Sequence, residues 1–152
     1  MATLRDNPYS AFNFIVHLGF AQGDGSDVIG GFSDVSGLGV EIQYAEYRNG
    51  NERVNTVRKI AGTHKLDDVT CKRGLIGSTD LWEWLDEVAR GQHAPRQVTI
   101  ELLDEARETV STWKLLNAQP KKWAGPTLAA KGGGEVAMEE LSLTHEGITY
   151  EK

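Results

Sequence analysis

Short alternating runs of apolar and polar residues dominate the chain. Phe12, Phe14, Val16 and Leu18 alternate with Asn13, Ile15 and His17, the period-two pattern of a strand with one buried face. A polar loop runs from Gln22 to Asp27, Ile29 to Val35 forms a second extended run, and Gly37 and Gly39 punctuate the next stretch. Val40, Ile42 and Tyr44 alternate with Glu41, Gln43 and Ala45, which predicts a strand with the first three facing the core. Arg48-Asn49-Gly50-Asn51-Glu52-Arg53 is polar and carries an Asn-Gly hairpin signal. Val54 to Ile60 returns as a polar extended stretch, so a hairpin arm is expected over about residues 46–62. Lys65 to Arg73 reads as a further strand, with Val69 and Cys71 inward and Asp68, Thr70 and Lys72 opposite.

One helix is predicted, over about residues 79–90. Ser78 or Asp80 can cap its start, and with Asp80 as the cap, Glu83 would complete a capping box. Leu81, Trp84, Leu85 and Val88 fall at i, i+3, i+4 and i+7, which predicts one buried face. Glu83, Asp86, Glu87 and Arg90 lie away from it, and Gly91 suits the left-handed stop residue. Trp82 borders the stripe, at the core edge or against a partner. Val98, Ile100 and Leu102 then mark a strand, Asp104 to Glu108 a charged turn, and Thr109 to Asn117 the return strand. Pro120, Gly125 and Pro126 are expected to bound a loop containing Trp123, and Gly132 to Gly134 a flexible turn. In the last strand Val136 and Met138 share one parity, and Leu141, Leu143 and His145 the other. A bulge near Glu139-Glu140 would reconcile them. The sum is a single domain over residues 1–152, mainly β, a sandwich or barrel with one packed α-helix.

Composition narrows the function classes. The chain has a formal net charge of −6, and its paired basic residues, Arg58-Lys59, Lys72-Arg73 and Lys121-Lys122, are scattered as on solvated faces. That distribution argues against a sequence-specific nucleic-acid binder, although a passage that merely repels DNA remains compatible. Met1 to Ser10 lacks the basic start and apolar stretch of a signal peptide, so cytoplasmic synthesis is expected, with any release by another route. Apolar runs fall short of a membrane span, so no stable membrane association is expected. Cys71 is the one cysteine and reads as a buried, inert thiol.

The residues spell out no catalytic or metal-binding motif. His17, His64, His93 and His145 are too widely spaced for a zinc motif, so no metal is expected. Ser36-Gly37-Leu38-Gly39 is followed by strand residues and not by a helix start, which removes the phosphate-loop reading. Adjacent carboxylates such as Asp67-Asp68 and Glu139-Glu140 point to opposite strand faces and make poor acid–base pairs. Solvated faces and turns are their simpler reading. No catalytic residue and no cofactor is expected. What stands out is the polar 48–60 segment, too poor in apolar residues to be held by its own domain. Such an arm is either disordered or ordered by a neighbouring chain.

The order of segments then carries a likeness. Asn7-Pro8-Tyr9 leads into Phe12-Asn13-Phe14-Ile15-Val16, then Gly31-Phe32-Ser33-Asp34-Val35-Ser36-Gly37-Leu38 and Glu46-Tyr47-Arg48-Asn49-Gly50. Arg58-Lys59-Ile60-Ala61-Gly62, Lys72-Arg73-Gly74, Leu81-Trp82-Glu83-Trp84 and Asn117-Ala118-Gln119-Pro120-Lys121-Lys122-Trp123 come next. From about Pro8 to Gly147 this series resembles the tail-tube proteins of contractile phage tails and extracellular contractile injection systems. Departures are a longer 20–28 loop, Gln119 where an aromatic is common, and a Gly-rich 131–134 turn.

The resemblance implies a structural subunit and not an enzyme. Strands of six copies would join into a hexameric ring barrel, rings would stack into a tube, and a contracting sheath would drive the tube through a target envelope. Implied partners are further copies of the chain, sheath, baseplate and tail-terminator proteins, with cargo or DNA passing without specific binding. Implied surroundings are a phage tail or a released injection particle. Arg48, Asn49, Gly50, Asn51, Glu52 and Arg53 are expected at a subunit or ring interface. The resemblance puts the 40–47 and 65–73 strands in the channel sheet, so Glu41, Gln43, Asp68, Thr70 and Lys72 would line the lumen. Two rival readings stand beside it. A baseplate adaptor that starts the tube would carry an extra domain, for which the chain has no spare length. A small β-barrel cofactor-binding enzyme would show bound flavin or metal.

Overall fold

A computed structural model describes residues 4–19, 31–93, 95–132 and 134–152. The 22–27 loop, the start of the 29–35 run and Gly133 lie outside the described residues. Within them run β1 (Phe14–His17), β2 (Asp34–Ser36), β3 (Val40–Tyr47), β4 (Arg58–Leu66), β5 (Val69–Gly74), α1 (Asp80–Ala89), β6 (Arg96–Leu103), β7 (Thr109–Ala124), β8 (Met138–Thr144) and β9 (Gly147–Glu151).

All pairings are antiparallel, and the long strand β7 organises them. Its first half pairs with β6 and β9, and β6 carries β1 on its far side. Its second half pairs with β8, which continues through β5 to β2. Asn117, at φ 48°, marks the passage from one half to the other, a left-handed conformation that asparagine tolerates better than most side chains. The two halves thus belong to two layers. Val16, Val98, Ile100 and Leu115 from one and Val69, Cys71, Leu141 and Leu143 from the other meet in one buried cluster. The mainly-β architecture with one packed helix therefore stands.

The helix runs over Asp80–Ala89, one residue shorter than expected at each end. Thr79 is the N-cap residue, with no side-chain cap bond, so neither Ser78 nor Asp80 fills that role. Asp80 is instead turned toward Arg73. The C-terminus meets expectation: Gly91 has φ +89°, its N–H bonds Val88 O, and Gln92 N–H bonds Glu87 O. Leu81 and Trp84 are fully buried, while Leu85 and Val88 are only half-buried, so the four-residue face is enclosed mainly at its N-terminal end.

Other expectations change. Trp123 lies within β7, not in a loop. β8 pairs with β5 in unbroken register, so it contains no bulge at Glu139-Glu140. Glu139, Leu141, Leu143 and His145 all face inward, and the apparent parity break arises because the inward position 139 is a glutamate. The irregularity sits on the partner strand, between Pro120 and Lys122. Leu81→Ala should lower stability by about 2–5 kcal/mol, the range for deleting a fully enclosed leucine. Leu85→Ala should cost clearly less, and thermal melts of the two variants check the order.

Candidate assembly interface

The largest departure from expectation is the β3–β4 hairpin. Val40, Ile42 and Tyr44 do not face the core of their own chain; they are 55%, 42% and 57% exposed. Tyr47 and Ile60 are exposed as well. The arm is also longer than residues 46–62, because its paired strands begin at Val40 and end at Leu66. It extends β2 and β5. Asp34 stands opposite Lys72 and Ser36 opposite Thr70, and beyond a short break Val40 stands opposite Leu66 in the same register. Asp67 N–H bonds Gly39 O at 3.2 Å across that break.

The break is a built elbow. Gly37 has φ +89°, and a Cβ there would lie 2.0 Å from Asp68 O, so both conformation and space demand glycine. Val35 and Leu38 both pack on the core, three residues apart, which shows that the alternation flips at Gly37. The His145 ring is buried between two backbone carbonyls, Asp67 O at 3.0 Å and Gly147 O at 3.1 Å. Lys121 Nζ donates to Asp68 at 2.5 Å. After the flip, Val40 turns toward a cleft shared with Trp113, Ile148 and Tyr150. The hairpin therefore has an apolar face holding Val40, Ile42, Tyr44 and Leu66, and an opposite face holding Glu41, Gln43 and Lys65.

The hairpin tip is ordered by its own polar groups. Tyr47 Oη donates to Asn49 at 2.5 Å, and Glu52 N–H bonds Asn49 O at 3.2 Å. Arg48 donates to Val54 O at 3.0 Å and Glu52 O at 2.9 Å, and Arg58 pairs with Glu52 at 2.5 Å. Of the six expected interface residues, Arg48, Asn49 and Glu52 thus scaffold the loop, while Gly50, Asn51 and Arg53 are presented outward.

The opposite end of the same sheet is tied down by a buried arginine. Arg73 Nε donates to Glu139 Oε1 at 2.5 Å, and its terminal nitrogen pairs with Asp80. The other Glu139 oxygen accepts from Trp123 Nε1 at 3.2 Å, and Ser78 Oγ donates to Asp80 at 2.8 Å. Burial alone would lower the Arg73 pKa, but the bonds to Asp80 and Glu139 outweigh it and hold the guanidinium above its ordinary value. Arg73 and Glu139 are 0% and 3% exposed, which corrects the reading of both as solvated. Trp82 packs edge-on to Trp123 at 5.2 Å between ring centres, yet remains 48% exposed.

The family description "T4-like virus tail tube protein gp19" matches residues 10–149. The chain belongs to this tail-tube family. Among solved structures, it is similar to a chain of the PVC extracellular contractile injection system, sheath-tube complex in the extended state: 27% identity, TM-score 0.82, covering 96% of this chain and 93% of that one. A chain of the anti-feeding prophage tube-terminating cap shares 25% identity at TM-score 0.82, covering 99% and 95%. The Hcp1 protein of E. coli EAEC 042, at 16% identity and TM-score 0.54 over 92% and 91%, shares the fold. No curated protein sequence matches the chain.

In this tail-tube protein the expected channel residues fall on β5, the elbow and the hairpin. Thr70 and Lys72 lie on the face of β5 opposite Val69 and Cys71, beside Ser142 and Glu140 of β8. Thr70 Oγ1 lies 3.3 Å from Ser142 Oγ, and Lys72 Nζ lies 4.0 Å from Glu140. Asp68 sits in the elbow, and Glu41 and Gln43 lie on the polar face of the projecting hairpin. No group of three or more His, Cys, Asp or Glu among the described residues could hold a metal ion. No helix among them is long and apolar enough to cross a membrane. Burial pushes the Cys71 thiol up to about 12, so it is neither nucleophile nor ready ligand.

Sequence reasoning missed the Arg73–Glu139–Asp80 cluster. Its signal was the parity break in β8, which placed a carboxylate where an apolar side chain should stand. Arg73→Met should destabilise the fold by about 3–5 kcal/mol, because it strands buried Glu139 without its cation. Denaturant titration checks it. A thiol reagent at pH 8 should leave Cys71 unmodified in the native protein and titrate one thiol after unfolding.

Proposed function

We propose that the chain is a structural, non-catalytic subunit that closes into a six-copy ring, and that such rings stack to form the inner tube of a phage tail or released contractile injection particle. The observation that carries this reading is the hairpin. A chain that extends an ordered β-ribbon with an exposed apolar face is incomplete alone, and a neighbouring copy completes it. The sheet formed by β2, β5, β8 and the second half of β7 ends in two open edges, β2 and β7. In a ring, the β2–β3 edge of one copy meets the β7 edge of the next, so the sheets fuse and no edge remains.

The inner wall is then the sheet face opposite the core. It carries Thr70, Lys72, Asp68, Glu41 and Gln43, a wet surface of mixed sign. Each copy has a formal charge of −6, so the ring as a whole repels DNA and acidic cargo weakly enough to let them pass and strongly enough not to hold them. Sheath, baseplate and terminator proteins are the partners such a tube requires, and synthesis and assembly precede release from the cytoplasm. No catalytic group and no cofactor enters this function.

Negative-stain microscopy of the purified protein should show rings and tubes; a species that stays monomeric at every concentration overturns the reading. Gln43→Cys tests the wall, since native Cys71 stays silent. In assembled tubes the new thiol should react with a small reagent that enters the channel and resist a bulky one. Equal labelling by the bulky reagent overturns the lumen placement.

A further inference from the structure

We propose that His145 is a proton-operated latch at the elbow: its ring ties the root of the hairpin to the β8–β9 turn through two hydrogen bonds at once only when both of its nitrogens carry a proton. The latch belongs to the single chain, so it holds or fails independently of ring closure.

The donor count of the ring carries the proposal. Nε2 lies 3.0 Å from Asp67 O, and Nδ1 lies 3.1 Å from Gly147 O. Both partners are backbone carbonyls, which accept and never donate. A neutral imidazole has one N–H and one lone pair, so either tautomer satisfies one carbonyl and sets a lone pair against the other. Turning the ring over does not help, because it brings ring carbons to the carbonyls. The imidazolium has two N–H groups and satisfies both. At 7% exposure the ring has little water to substitute for a lost partner.

The two carbonyls belong to different parts of the fold. Gly147 opens β9, which pairs with the first half of β7. Asp67 sits between β4 and β5, 78 residues from His145 along the chain. It is also the residue whose N–H bonds Gly39 O at 3.2 Å, across the break between β2 and β3. With the ring protonated, Asp67 is fixed between the hairpin root and the body of the protein. With the ring neutral, one of the two ring bonds is given up, and loss of either one breaks the bridge. The elbow then rests on its other contacts, such as Lys121 to Asp68.

The surrounding charges admit the second proton. The elements that meet here bring Asp67 and Asp68 from the elbow, Glu146 from the ring's own turn and Lys121 from β7. Glu41 and Lys65 stand opposite each other one pair beyond Val40 and Leu66 on the hairpin. Lys121 Nζ donates to Asp68, and Asn117 Nδ2 donates to Glu146 at 2.8 Å. Carboxylates outnumber lysines in this set, so a positive charge on the ring meets no excess of like charge.

The direction of the pH effect follows. The complete bridge exists only with the extra proton bound, so its contribution is present in acid. That contribution is lost as pH rises across the range in which histidine titrates, roughly pH 5 to 8. The hairpin root is thus held most firmly on the acid side.

Two measurements test the latch. In protein isotope-labelled at histidine, magnetic resonance should show two exchange-protected N–H signals from the His145 ring at about pH 5, assigned through its neighbours Asp67 and Gly147, and fewer at about pH 8. In hydrogen exchange, corrected for intrinsic rates, the Asp67 amide should exchange at least about tenfold more slowly in wild type than in His145→Gln at about pH 5, and this ratio should shrink at about pH 8. His64→Gln, an exposed change out on the hairpin, should behave as wild type at both pH values. A ratio that stays constant with pH overturns the latch, because a purely structural contact is lost equally at both. A ring with a single N–H at about pH 5 overturns it as well. If His145→Gln does not fold, the ring signals of the wild type decide alone.

Discussion

The buried guanidinium of Arg73 is the constraint on which the helix-bearing end of the sheet depends. An arginine with no exposed surface is tolerable only if its charge is answered locally, and three elements of the chain answer it. Glu139 comes from β8 and Asp80 from the first turn of α1, while Trp123 of β7 takes the remaining Glu139 oxygen. Shifting any one of these elements would leave a buried charge or indole N–H without a partner. The cluster therefore fixes where the helix begins and how the ends of three strands sit together. Apolar packing around Trp84 and Leu81 could be satisfied by several helix placements; charge satisfaction admits few.

At the other end the same sheet is left open. Gly37 allows the backbone to cross Asp68 O where a Cβ would stand 2.0 Å away, and the strand reverses its faces there. His145 and Lys121 hold the elbow on the opposite strand. The result is a ribbon whose apolar side continues the direction of the core after the core itself has ended. A tail-tube protein thus separates two tasks that compact domains combine. One end is sealed by internal charge pairing, and the other leaves an apolar ribbon face exposed.

Much of this is legible in the residues. The strand alternations, the helix from its 3.6-residue stripe and Gly91, and the inward placement of Val69 and Cys71 arise from local chemistry. The order of short motifs points to the family. The rest is hidden for one of two physical reasons. Period-two patterns tell which side chains share a face, but not whether the chain's own core lies behind that face, so alternation alone assigns Val40, Ile42 and Tyr44 to the interior. A polar residue is usually solvated, and that rule breaks when opposite charges far apart in sequence meet, as Arg73 and Glu139 do. The loop expected around Trp123 fails because proline usually breaks a strand, whereas Pro120 falls beside the irregular step of β7.

The common register of the β2–β5 pair and the base of the hairpin has a mechanical meaning. A pull along the ribbon acts parallel to its strands and loads the cross-strand hydrogen bonds together, in shear. They share the force and must fail in concert, whereas a pull across the strands would open them singly, like a zip. A slip at the elbow would have divided the ribbon into two separately loaded pieces. Carrying the same pairing from Asp34–Lys72 through Val40–Leu66 to Ile42–His64 makes the elbow part of one tension member, rooted in the body of the protein. The register first shifts beyond it, between Ile42 and Tyr44, out on the projecting arm.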